Sequence, residues 1–101
     1  MKEFNPYVKN ISSLKSQYLR DFIESDDYKM RFAGEIMELS YRINRLTECI
    51  LKIEMGDFKP TCDITILRSQ LYAMQHYRYI LILRAQIENI MIPEVSFYDD
   101  K

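Results

Sequence analysis

The chain reads as an all-α protein, a short N-terminal helix followed by a long antiparallel helical hairpin that assembles as an oligomeric bundle. Three observations predict this. From Phe32 to Ile53, the residues Phe32, Ile36, Leu39, Ile43, Leu46, Ile50 and Ile53 recur at alternating spacings of four and three. At 3.6 residues per turn they form one apolar stripe, with Arg31, Glu35, Glu38, Arg42, Arg45 and Lys52 off it. From about Asp63 to Ile92 there is no Gly or Pro, and Leu67, Leu71, Met74, Leu81 and Ala85 carry a second stripe of the same period. Finally, the whole chain of 101 residues holds only two glycines and three prolines, so little interrupts a helix.

In chain order, Met1 to Asn10 is expected to be an extended lead-in, since the residue before Pro6 avoids the helical region. Ser12 or Ser13 then caps a first helix over about 12–24, whose stripe is Ile11, Leu14, Tyr18, Leu19, Phe22 and Ile23. Ser25, Asp26 and Asp27 supply capping oxygens and negative charge for a new start, so a break is expected there. The second helix runs over about 27–55 and stops at Gly56, a residue suited to the left-handed conformation that ends many helices. A short connection with Phe58 and Pro60 leads to a third helix over about 63–92, capped by Thr61 or Asp63 and stopped by Pro93. The tail, 93–101, carries Val95, Phe97 and Tyr98. The length predicts a single domain, 1–101. Burying the seven-residue stripe of the second helix is worth roughly 1.5–3 kcal/mol per side chain, which requires a packing partner. Leu46→Ala is expected to leave a cavity costing about 2–5 kcal/mol.

Composition narrows the function classes. Fourteen basic and fifteen acidic residues give a formal net charge of −1, so no basic field holds long nucleic acid or an anionic membrane surface. Cys49 and Cys62 lack metal-ligand spacing, and the single His76 has no His or Cys neighbour, so no metal and no cofactor is expected. No apolar run approaches the ~20 residues that cross a bilayer, and the first residues lack a secretory hydrophobic region. A soluble protein of the cytoplasm, with reduced thiols, is the expectation. Ser, Cys and His form no nucleophile-and-base pattern and no carboxylates pair for catalysis, so the reading is not an enzyme.

The third helix carries more than one face. Arg68, Tyr72, Gln75, Tyr79, Ile82 and Gln86 form a heptad-spaced line about 100° from its core stripe. Ile80, Leu83, Ile87 and Ile90 make it apolar nearly all round between Tyr77 and Ile92, as in helices buried on several sides. A second copy of the chain is expected to cover the remainder, as a dimer or tetramer. The Tyr, Gln and Arg line has two readings. One is an interface rim with wet hydroxyls. The other is a ligand site in which Tyr72 and Tyr79 stack on bases and Arg68, Arg78 or Arg84 forks onto phosphate, a combination suited to a small nucleotide. On the second helix Arg31, Glu38, Arg42 and Arg45 form a mostly solvated charged line, with Arg42 and Arg45 as further phosphate candidates.

Two blocks carry a family resemblance between Glu35 and Ile90. The first is Glu38-Leu39 with Arg42, Ile43, Arg45 and Leu46. The second is Gln70-Leu71, Ala73-Met74, Tyr77, Ile80-Leu81 and Arg84, reached through Phe58, Pro60 and Cys62. In these the chain resembles small helical-hairpin proteins of tailed phages and prophages, including those of crAss-like phages. Most members of that group have no assigned function. Phage proteins of similar size and build include sponges that sequester cyclic oligonucleotide signals of bacterial immunity. The resemblance thus implies a phage-encoded anti-defence protein of the host cytoplasm that binds a cyclic di- or oligonucleotide; the rival is a helical oligomer that binds a host or virion protein.

Overall fold

The computed structural model describes the backbone of residues 8–11 and 16–97 and the side chains of 16–93. Three helices account for most of it: α1 (Gln17–Ile23), α2 (Tyr28–Glu54) and α3 (Ile64–Glu88). Ser12, Ser13, Leu14 and Tyr98, given roles by the sequence, lie outside the described residues. α1 starts after Ser16, whose carbonyl accepts from the Arg20 N–H at 3.0 Å.

The start of α2 follows from its capping chemistry. The Asp27 carboxylate accepts the Lys29 N–H at 2.9 Å, and the Ser25 hydroxyl accepts the Asp27 N–H at 3.0 Å. These satisfy donors that a helix start leaves without intrahelical partners. At the other end Gly56 takes φ 82°, and Gly56 and Asp57 N–H groups return to Ile53 and Lys52 carbonyls at 3.0 and 2.9 Å. The 27 residues of α2 span about 40 Å.

Contacts between α2 and α3 join opposite ends. Tyr28, the first residue of α2, meets Glu88 and Arg84 near the end of α3, whereas Arg68 near the start of α3 meets Glu54, the last residue of α2. Between them lies a core of Phe32, Ala33, Ile36, Leu39, Leu81, Ala85 and Ile90. α1 packs on an adjacent side of α2, where Leu19 and Met37 are sealed beneath Tyr18, Phe22, Ile23 and Tyr41. Gly34 permits that approach: a Cβ there would stand 3.0 Å from the Ile23 nitrogen and 3.1 Å from the Phe22 carbonyl carbon.

The structure departs from the sequence expectation in three places. α3 stops at Glu88 rather than near 92, because Asn89 adopts the left-handed conformation (φ 57°, ψ 45°) and the Ile90 N–H closes onto the Ala85 carbonyl at 2.8 Å. Asn tolerates that conformation better than most residues. Secondly, the described chain is not wholly helical. β1 (Val8–Ile11) and β2 (Glu94–Phe97) pair in parallel, Val8 level with Glu94 and Ile11 with Phe97. Four-residue strands separated by more than eighty residues leave no periodic signature. Thirdly, the stripe of α2 is unevenly covered: Phe32, Ile36, Leu39 and Ile50 are buried, but Ile43, Leu46 and Ile53 are half-buried. No described helix is long and apolar enough to cross a membrane.

Candidate functional site

α2 presents Arg31, Glu35, Glu38 and Arg42 at spacings of four, three and four, a line one step round from its core stripe. In the fold this line is the wall of a cleft. Ile23 at the end of α1 and Leu39 of α2 give it an apolar floor, and Tyr77 of α3 closes the side, around about 340 Å³. The docking of α1 over Gly34 places Ile23 there.

Hydrogen bonds hold the polar groups of the cleft in position. The Tyr77 hydroxyl donates to the Glu35 carboxylate, and this bond keeps the phenol above its usual titration range. Arg42 Nε donates to Glu38 at 3.1 Å, and Arg31 Nη1 to the Ser25 carbonyl at 2.9 Å. Two guanidiniums thus flank two carboxylates over an apolar base. Guanidiniums can pair with anionic groups, and carboxylates can accept from hydroxyl or amino donors.

Arg42 also borders a second groove further along the same flank. That groove, of about 400 Å³, is lined by Tyr41, Arg42, Arg45, Leu46, Gln70 and Met74. Arg45 stands 3.6 Å from Glu48. A third groove, on the opposite flank of the α2–α3 pair, is lined by Ser40, Ile43, Asn44, Thr47, Gln75 and Arg78 and encloses about 320 Å³. There Arg78 Nε donates to the Ser40 hydroxyl at 2.6 Å.

Of the residues the sequence proposes for a ligand, Arg42 and Arg45 share the second groove and Arg78 lines the third. Arg68, Tyr72, Tyr79 and Arg84 line none of the three. Tyr72 and Tyr79 are 67% and 59% exposed, on the flank away from Tyr77. Arg68 is paired with Glu54 at 3.2 Å beside the interhelical connection. Arg84 bonds Glu88 at 3.1 Å and the Tyr28 hydroxyl at 2.9 Å, and its guanidinium lies 4.7 Å from the centre of the Phe32 ring. The Glu88 bond raises its pKa further, and Glu88 also raises the Tyr28 phenol. Arg84 thereby fastens the start of α2 to the end of α3.

Glu35 and Tyr77 are not among the ligand residues the sequence proposes. The only trace of the cleft there is the run Arg31, Glu35, Glu38, Arg42, whose neighbour Gly34 marks a close approach. Among the described residues, no three His, Cys, Asp or Glu side chains form a metal-holding group.

A family model described as Sequestin matches residues 26–87, more than half of the chain. That span runs from the cap of α2 to the last turn of α3 and includes every lining residue of the three grooves except Ile23. No curated protein and no solved structure matches the chain.

Proposed function

We infer that this chain, which belongs to the Sequestin family, is a sponge: it binds a small ligand in the cleft beside Tyr77 and withholds it without altering it. The observation that carries the reading is the cleft's line of Arg31, Glu35, Glu38 and Arg42, two carboxylates flanked by two guanidiniums, over Ile23 and Leu39. A nucleotide answers that pattern, with phosphates for the guanidiniums, ribose hydroxyls or amino groups for the carboxylates, and a base for the apolar floor and the Tyr77 ring. The ligand is a cyclic di- or oligonucleotide, and Arg45 in the adjoining groove receives a second phosphate. The resemblance to tailed-phage and crAss-like phage proteins supports a phage-encoded protein acting in the host cytoplasm against a defence signal. The protein works as a homo-oligomer, because the apolar circumference of α3 exceeds what α2 covers.

Thermal shift against a panel of cyclic nucleotides tests this, since a ligand at a hundred times its Kd adds about 2.7 kcal/mol of stability. One nucleotide should raise the melting temperature, and should be recovered intact when the complex is denatured. Arg42→Ala and Tyr77→Ala should abolish the shift, whereas Arg68→Ala and Tyr79→Ala should leave it; the reverse result would return the site to the Tyr72–Tyr79 line. A panel without any shift overturns the nucleotide. The exposed rings of Tyr72 and Tyr79 favour one alternative, a surface that holds a host or virion protein, and capture of one such protein with loss on Tyr79→Ala would support it.

A further inference from the structure

We propose that the groove between Ser40 and Arg78 is a second ligand site, separate from the cleft, that grips a small molecule by one singly charged oxyanion. This goes beyond the reading above, in which Arg78 has no task. Two helix faces furnish the groove. Ser40, Asn44 and Thr47 stand four and three residues apart on α2 and share a face with Ile43, while Gln75 and Arg78 stand three apart on α3. Together they enclose about 320 Å³ on the flank opposite the cleft, near the lower end of the range for small-ligand pockets.

Arg78 is the anchor. Arg42, Arg45, Arg68 and Arg84 are each paired with a glutamate. Arg20 and Arg31 have no carboxylate partner but stand in solvent. Among the described arginines, Arg78 alone is half-buried and not paired with a carboxylate. A guanidinium partly withdrawn from water without a counter-charge is where an incoming anion gains most. Its Nε donates to the Ser40 hydroxyl at 2.6 Å. That bond fixes the group by one edge and leaves both Nη nitrogens without a partner among the described residues, a fork that takes two oxygens of one oxyanion side by side.

The rest of the lining sets the charge and polarity of the ligand. None of the six lining residues is acidic, and Arg78 is the one cation among them. One negative charge is therefore balanced, whereas the second charge of a phosphate monoester is not. Glu48, which accepts from Asn44 Nδ2 at 3.2 Å, is itself drawn to Arg45 at 3.6 Å. The Thr47 hydroxyl donates to the Ile43 carbonyl at 2.8 Å, so toward a ligand its oxygen accepts. Asn44, with its Nδ2 on Glu48, likewise offers a carbonyl oxygen, and Ile43 supplies apolar contact. These groups suit a compact molecule with one carboxylate or phosphodiester, a short apolar body and a hydroxyl or amino donor. The cleft differs in kind, because Glu35 and Glu38 line it beside Arg31 and Arg42.

NMR titration of the isotope-labelled full chain tests the site, with butyrate as the carboxylate probe and diethyl phosphate as the phosphodiester probe, against sodium chloride at equal ionic strength. At least one probe should move the Arg78 Nε–H and the Asn44 and Gln75 side-chain amide signals along saturating curves, and the tighter of the two names the oxyanion. Arg78→Gln should abolish saturation while the backbone fingerprint stays that of the folded wild type. Ser40→Ala, which lets the guanidinium reorient, should weaken binding about fivefold, the worth of one ordinary hydrogen bond. Saturation with neither probe, shifts no larger than those at the solvent-exposed Arg20 Nε–H, or saturation that survives Arg78→Gln overturns the proposal. The titration contains no cyclic nucleotide, so a negative panel above leaves it intact. In that panel Arg78→Gln should keep the shift of the wild type; its loss would make the groove part of the nucleotide site and overturn the separateness of the two.

Discussion

The two halves of α2 carry the same apolar stripe and end in different environments. In the first half Phe32, Ala33, Ile36, Met37 and Leu39 are all buried; in the second, Ile43, Leu46 and Ile53 remain half-buried, and only Ile50 is closed off. The difference is in the neighbours: Ile90 and Ile92, beyond the end of α3, close on the first half together with Leu81 and Ala85, and α1 adds a second side. That helix covers the first half on a side that α3 does not reach, so α2 is packed on two sides there and on one side beyond Tyr41. The period of a helix says which side chains face a neighbour, whereas the number of neighbours decides how far water is excluded. The cleft forms at the boundary between the halves, where α1 ends at Ile23 and α2 continues.

The largest expected effect lies in the doubly packed half. Ile36 is 1% exposed, and Ile36→Ala should cost about 2–5 kcal/mol, through lost transfer energy and the cavity left behind. Urea denaturation should show a lower midpoint with little change in slope. A loss under ~1 kcal/mol would mean that the double packing has no energetic counterpart.

Gly34→Ala probes one contact that makes the halves differ. In an open helix the change usually stabilises by roughly 0.5–1 kcal/mol. Here the new methyl meets backbone atoms of Phe22 and Ile23 at 3.0–3.1 Å, which cannot rotate away as a side-chain tip can. The sign should reverse, with a cost of about 1–3 kcal/mol as α1 is displaced. Because Ile23 moves with α1, the nucleotide binding proposed above should weaken too.

Leu46→Ala, in the singly packed half, should cost under about 2 kcal/mol, because the site is half-buried and opens onto a groove. That corrects the 2–5 kcal/mol that periodicity alone assigns it. If Leu46→Ala matched Ile36→Ala in denaturation, the contrast between the halves would fail.

What was legible in the sequence was what neighbours in the chain decide. The α2 stripe, the Asp27 start and the Gly56 stop all follow from residues within a few positions of each other. The end of α3 was misplaced because Pro93 gave a louder signal than Asn89, which stops the helix by adopting a positive φ that its sequence context does not announce. β1 and β2 went unseen since each is partnered from the far end of the chain. The cleft was legible only as charges: Arg31, Glu38 and Arg42 read as a solvated line. Tyr77 belonged to the second resemblance block without a ligand role until the pairing of α2 with α3 set it on Glu35.

The smallest effect belongs to the open end of the pair, at the cap of α3. Asp63 accepts the Thr65 N–H at 2.8 Å and the Thr65 hydroxyl at 2.7 Å. These bonds, the hydroxyl's first, hold its carboxyl below the ordinary 3.8. A carboxyl depressed in the folded state contributes stability that is present above its unfolded value and is lost as pH falls through the folded one. Other carboxylates titrate in the same range, so the comparison must be with Asp63→Asn, which keeps a capping oxygen but carries no titrating proton. Wild type should melt higher at neutral pH, where the negative charge also complements the helix N-terminus. That advantage should shrink as pH falls below the ordinary carboxylate value. Because the cap is fully exposed, the change should be modest beside Leu46→Ala. Melting curves of the two proteins that stay a constant distance apart from neutral pH into acid would show that Asp63 caps α3 without its charge mattering.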